Sequence, residues 1–185
     1  DGAFYQVKAD GTVLDVDDDA RTPFSVVKFF TPEKVFTISG SRDLEGLMRE
    51  LDALLPTRNA FYAIRIEGTF PRIKARSVPA QRTPYPGLAE AVKNQSVFEF
   101  SAIRGTIIGI RSPDFVRGIN LPGYHFHFIS GDRKAGGHLL ECRIENASVA
   151  LDETGDFHLI LPRSDQFRRS DLGRDHRGEL DKAER

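Results

Sequence analysis

Three histidines carry the chemistry that this sequence suggests. They lie in the stretch Gly123-Tyr124-His125-Phe126-His127-Phe128-Ile129-Ser130, which continues through Gly131-Asp132-Arg133-Lys134-Ala135-Gly136-Gly137 to His138. On a strand, residues two apart share a face, so His125 and His127 project together while Tyr124, Phe126 and Phe128 project the other way. A glycine-bearing turn can bring His138 back beside them. Three imidazoles with a vacant fourth position is a catalytic zinc pattern, and neutral ligands leave the ion its full charge as a Lewis acid. A tight symmetrical hairpin would put His138 opposite Ser130, on the wrong face, so the two glycines must admit a shifted register or a bulge. His158, in an apolar run, and His176, in a charged tail, are read as having no role.

The elements that must position these residues are mostly strands. Tyr5 and Val7 lead through Asp10-Gly11 into a run at 12–16, a hairpin signal. Further strands are expected at 24–30 and 35–38, then as a pair around Gly68 (61–70 and 73–78), and at 97–100, 106–110, 124–129, 139–144, 148–151 and 157–161. One helix is clear: Ser41 can cap it, Leu44, Leu47, Met48, Leu51, Leu54 and Leu55 form its apolar stripe, and Pro56 stops it. A shorter helix is expected over 86–93. Many strands with two separated helices predict an α+β class with two strand-rich halves rather than alternating βαβ units. The division expected is a mixed-sheet domain over 1–83, a strand-rich metal-binding domain over 84–161, and a tail over 162–185 that folds back over the site. Residues 79–86, rich in proline and polar side chains, mark the boundary.

Bulk properties exclude several classes. The 185 residues include 26 basic and 27 acidic side chains, a net charge of -1, and no stretch forms the basic face that nucleic-acid binding needs. No apolar run approaches the roughly 20 residues that cross a bilayer. Cys142 is the single cysteine, so no internal disulfide can form and a four-thiolate zinc site is excluded; one thiol fits a reducing, cytoplasmic setting. No glycine-rich loop joins a strand to a helix, so a nucleotide-binding loop has no support. The chain opens at Asp1-Gly2 without Met, and is expected to be a piece of a longer polypeptide.

The segments Phe61-Tyr62-Ala63-Ile64-Arg65-Ile66-Glu67-Gly68-Thr69-Phe70, Arg76-Ser77-Val78-Pro79, Pro84-Tyr85-Pro86, Val97-Phe98-Glu99-Phe100, Arg111-Ser112-Pro113 and the block from Gly118 through His138 resemble the α-acetolactate decarboxylases. The resemblance spans nearly the whole chain. It implies a carboxy-lyase converting (S)-2-acetolactate to (R)-acetoin and CO2 in acetoin and butanediol biosynthesis, with zinc near a domain interface and no organic cofactor. It marks His125, His127 and His138 as ligands, Arg76 as an active-site arginine, and Glu184, with Glu179 as fallback, as the glutamate that the tail brings to the metal. It also implies a further glutamate upstream of Ala3 that this sequence does not contain. The partner expected is the small-molecule substrate, with a homodimer possible. Two other readings compete. A cupin-type oxygenase also uses His-x-His and a later His, but wants a Glu soon after the second His; Asp132 is the nearest carboxylate, and Gly118 is one residue off its place. The other is an inactive metal-binding fragment.

Overall fold

A computed structural model of the chain describes residues 2–22, 24–82, 85–171 and 173. The Asp10-Gly11 turn joins β1 (Tyr5–Val7) to β2 (Val13–Asp15), as its sequence predicts. A five-stranded sheet makes up the body, from β3 (Lys34–Asp43), β4 (Phe61–Ser77), β5 (Ser96–Ser112), β6 (Gly123–Ser130) and β7 (Gly136–Thr154). Its order is β3-β7-β4-β5-β6, and all its pairings are antiparallel. β6 also pairs with β7, so β4, β5, β6 and β7 close a circuit of strands. The helices are α1 (Leu44–Leu54) and the short α2 (Leu88–Ala91) and α3 (Asp165–Arg169). Strands that dominate over few helices give the α+β class expected. Among the described residues no helix is long and apolar enough to cross a membrane.

α1 forms because its leucines recur at helical spacing, and Leu47 and Leu51 are fully buried against the sheet. Its cap is Asp43, whose carboxylate accepts the Gly46 amide at 2.7 Å. The predicted cap, Ser41, instead lies within β3, because the strand runs directly into the helix and leaves the capping position to Asp43. The expected helix at 86–93 starts later, at Leu88, and finishes as a 3-10 turn, Val92–Asn94.

Several expected strands merge. β4 runs unbroken through Gly68, which pairs with Gly105 on one side and Ala147 on the other, so no hairpin forms there. The runs at 97–100 and 106–110 are one strand, as are those at 139–144 and 148–151. Residues 24–30 and 157–161 belong to neither sheet. Strand-like composition needs an edge to pair with, and these segments find contacts of another kind: Phe157 stacks on Phe61 at 5.2 Å and Phe30 lies under Arg65.

Two irregularities decide which residues face the core. In β4 the side chains that join the hydrophobic core are Tyr62, Ile64, Ile66 and Phe70, then Ile73 and Ala75. The alternation slips at Pro71, which has no N–H for the ladder, opposite Ala102 with its φ of 49°. In β7, Leu140 is an extra residue between the pairs Lys74↔Glu141 and Ala75↔Leu139. Leu139 therefore faces the core, as do Cys142 and Ile144 beyond the bulge. Without these slips Arg76 and His138 would point inward.

Candidate metal centre

Phe126 and Phe128 lie in the core, 4% and 2% exposed. Their neighbours His125 and His127 must therefore face away from it, as the period of a strand requires. The hairpin to β7 closes at Ser130, whose amide donates to the Ala135 carbonyl at 2.8 Å. Inside the loop, the Ser130 hydroxyl donates to Asp132 at 2.6 Å and accepts the Ala135 amide at 2.9 Å. With Arg133 at φ 61°, this wider loop sets the pairs Ile129↔Gly136, Phe128↔Gly137 and His127↔His138. The shifted register that the glycines were expected to admit is present. Directly paired residues share a face, so the third imidazole joins the first two.

Glycines make this approach possible. Gly137 has a φ of 145°, and a Cβ there would stand 2.6 Å from the Arg76 carbonyl oxygen. At Gly109 a Cβ would meet the His125 carbonyl oxygen at 2.2 Å. β5 and β4 can thus lie close under the strands that bear the histidines.

The ring centroids are 5.0 Å apart for His125 and His127, 4.8 Å for His125 and His138, and 5.3 Å for His127 and His138. One ligand nitrogen from each lies within 4.8 Å of the others, and His125 Nε2 is 2.9 Å from His127 Nε2. An ion with bonds of about 2.0–2.1 Å in tetrahedral geometry sets its ligand atoms roughly 3.3 Å apart. Small ring rotations reach that arrangement from here, and His127 is exposed, so the donor set fits a divalent ion that keeps a position open to solvent. Cys142 offers no fourth ligand. It lies in the core, where burial pushes its thiol up to about 12.

Arg76 pairs directly with His138 across β4 and β7, so it shares the histidine face. It is 5% exposed, and its Nη1 donates to Gln95 Oε1 at 3.0 Å. Arg72 and Lys74, its neighbours of like charge, bind Glu99 and Glu141 instead. Glu179, Glu184 and His176 lie outside the described residues, and His158 is exposed with no strand around it.

Sequence reasoning missed one support beneath the site. The Tyr124 hydroxyl donates to Asp52 on α1 at 2.8 Å, and Arg58 holds the other oxygen of that carboxylate at 3.0 Å. Burial, followed by this bond to the carboxylate, raises the Tyr124 hydroxyl far above its ordinary value. Tyr124 stays a neutral donor and ties the start of β6 to the helix next to His125. Only the Tyr124-His125 adjacency was visible in the sequence.

The model of the alpha-acetolactate decarboxylase family matches residues 1–174. The chain belongs to that family. An alpha-acetolactate decarboxylase of Methanosarcina mazei is 44% identical over 185 residues, the whole of this chain and 64% of the relative. For the alpha-acetolactate decarboxylase of Bacillus subtilis strain 168 the identity is 39% over 172 residues, covering 93% of this chain and 68% of that one. A crystal structure of alpha-acetolactate decarboxylase from the same strain superposes with a TM-score of 0.96 at 37% identity, covering 100% of this chain and 79% of that one. The chain thus spans less than two-thirds of the Methanosarcina relative's length. The fold also recurs in a Staphylococcus aureus protein of unknown function similar to alpha-acetolactate decarboxylase, with a TM-score of 0.90 at 24% identity.

Proposed function

We propose that this polypeptide decarboxylates (S)-2-acetolactate to (R)-acetoin and CO2, as a carboxy-lyase of acetoin and butanediol biosynthesis, with zinc held by His125, His127 and His138. One observation carries the reading: three imidazoles converge beside a buried arginine in a chain of the acetolactate decarboxylase family.

A divalent ion held there supplies a Lewis acid for the oxygens of a hydroxy-keto acid and takes up the negative charge that develops as CO2 leaves. The protein's own contribution is orientation. Arg76 offers a planar fork that suits a carboxylate, and Gln95 already fixes one of its nitrogens. Burial strengthens that pairing relative to one in water. A guanidinium holding the substrate carboxylate leaves the hydroxyl and ketone turned toward the histidines. The carbon that loses CO2 then needs a proton on one face, and Glu184 is our choice for the donor, with Glu179 second. No pyridoxal or thiamine is needed. We place the enzyme in the cytoplasm, as a homodimer.

The test is acetoin formation from racemic acetolactate, measured for this chain beside a version extended to the relatives' full length, with metal analysis of both. We expect one zinc per chain, and acetoin at least from the extended form. His125→Ala should lose both metal and turnover in that form; activity retained in this variant refutes the ligand assignment. Iron in place of zinc, with oxygen consumption, would favour an oxygenase.

A further inference from the structure

Residues 24–31 lie outside both sheets, yet side chains fix them at several points. Asp152, 3% exposed, pairs with Lys28 Nζ and accepts the Thr31 amide at 2.6 Å. Lys28 also donates to the Glu153 carbonyl at 3.1 Å. The Arg65 guanidinium sits 5.0 Å from the Phe30 ring centroid. At the other end, Phe24 meets His125 edge-on, with the ring centroids 6.2 Å apart.

The register explains how one short segment touches both ends. Asp152, Ala63, Ile110 and His125 form a single row across β7, β4, β5 and β6. Three steps between neighbouring strands amount to about 14 Å, and four residues of extended chain, from Phe24 to Lys28, reach about 13 Å. The segment is therefore a strap laid across the strands, clamped on β7 and ending at an imidazole on β6.

We infer that this strap is a wall of the metal pocket: Phe24 limits the size of the alkyl group that a chelating hydroxy acid can place beside His125, and the Lys28–Asp152 pair positions Phe24. The inference rests on the metal centre proposed above. Phe24 is a specificity-determining residue because its ring is an apolar surface, 47% exposed, in contact with a ligand of the ion. One methylene more or less against such a surface changes discrimination by about 10-fold or more. Lys28 is a positioning residue, since it touches the strap and Asp152 rather than the imidazoles.

The test loads the chain with cobalt(II), whose visible spectrum reports both occupancy and ligand exchange. Two probes are titrated, 2-hydroxy-2-methylpropanoate and the bulkier 2-ethyl-2-hydroxybutanoate. The wild type should bind the smaller acid more tightly. Phe24→Ala should move the ratio of the two Kd values by about tenfold or more toward the larger acid, at unchanged cobalt stoichiometry. Phe24→Val, which removes the ring yet keeps an apolar side chain, should move the ratio the same way by about threefold or more and covers the case in which the alanine variant fails to fold, a Phe24→Val ratio within about twofold of wild type then overturning the inference. Lys28→Met should shift the ratio in the same direction by a smaller factor, whereas a purely structural role would lower Tm and leave the ratio alone. A ratio for folded Phe24→Ala within twofold of wild type overturns the inference, and an unmoved ratio in Lys28→Met overturns the clamp. A wild-type chain that takes up no cobalt refutes the metal centre itself, a different failure with a different readout.

Discussion

The two faces of β6 and β7 are written in alternate residues of the same strands, and they do opposite work. On the core face Phe126, Phe128 and Leu139 are nearly fully buried, and Phe128 meets Phe70 edge-on at 5.8 Å. On the other face His125 and His138 are half-buried and His127 is exposed, with their nitrogens turned toward one another. Apolar packing on one side holds the backbone, so the polar side need contribute little to stability and is free to present ligands. The lesson is a division of labour at single-residue spacing: what stabilises the strand and what binds from it are neighbours in sequence that never touch the same surroundings.

That division breaks in measurable ways. The largest effect should come from His127→Ala: metal affinity falls by more than the roughly 100-fold typical of groups around the ligands, while metal-free stability stays within about 0.5 kcal/mol. Calorimetric zinc titration and urea unfolding check the two halves. Phe128→Ala should give the reverse pattern, losing about 3–5 kcal/mol by cavity formation, read as a lower urea midpoint. If His127→Ala destabilised the metal-free chain as much as Phe128→Ala does, the two faces would not be separable. Asp43→Ala, outside the three imidazoles, should cost about 1 kcal/mol through the lost α1 cap and leave zinc affinity unchanged.

The smallest effect concerns the loop that sets the register. The Ser130 hydroxyl, followed by the Lys134 amide, holds the Asp132 carboxyl below its ordinary value. A depressed folded pKa contributes order that is present above the ordinary carboxylate range and is lost as pH falls through the folded value. Amide exchange at Lys134 and Ala135 should accelerate, relative to the core strands, on going from about pH 5 to pH 3. Asp132→Asn should flatten that response. Equal protection at both pH values would remove Asp132 from the account of the turn.

Much of the site was legible because strand alternation is a local rule: His125 and His127 on one face and the aromatics on the other followed from spacing alone. The place of His138 was not, because register depends on where the loop closes, and the residue types of the loop do not specify the Ser130–Ala135 closure. Residue type alone does not set Arg76 apart from its charged strand neighbours Arg72 and Lys74. Its place on the histidine face arises from the slip at Pro71, and that of His138 from the bulge at Leu140, which neither residue announces. Gly68 read as a turn but is flanked by strands on both sides, which outweigh its weak strand propensity. The apolar run at 24–30 shows the converse: strand-like composition found a sheet face to cross instead of an edge to join.

The closed circuit of β4, β5, β6 and β7 has a consequence for assembly. His138 stands where β7 is shared, paired with Arg76 on β4 and with His127 on β6. The β6–β7 hairpin is a local event, whereas the contact with Arg76 joins distant parts of the polypeptide and is slow to find. An ion arriving early would meet the histidine hairpin alone, before the arginine had docked. Convergence of the hairpin's histidines and docking of the arginine beside them are thus separate moments in the life of a newly made molecule, and the second waits on the strand that closes the ring.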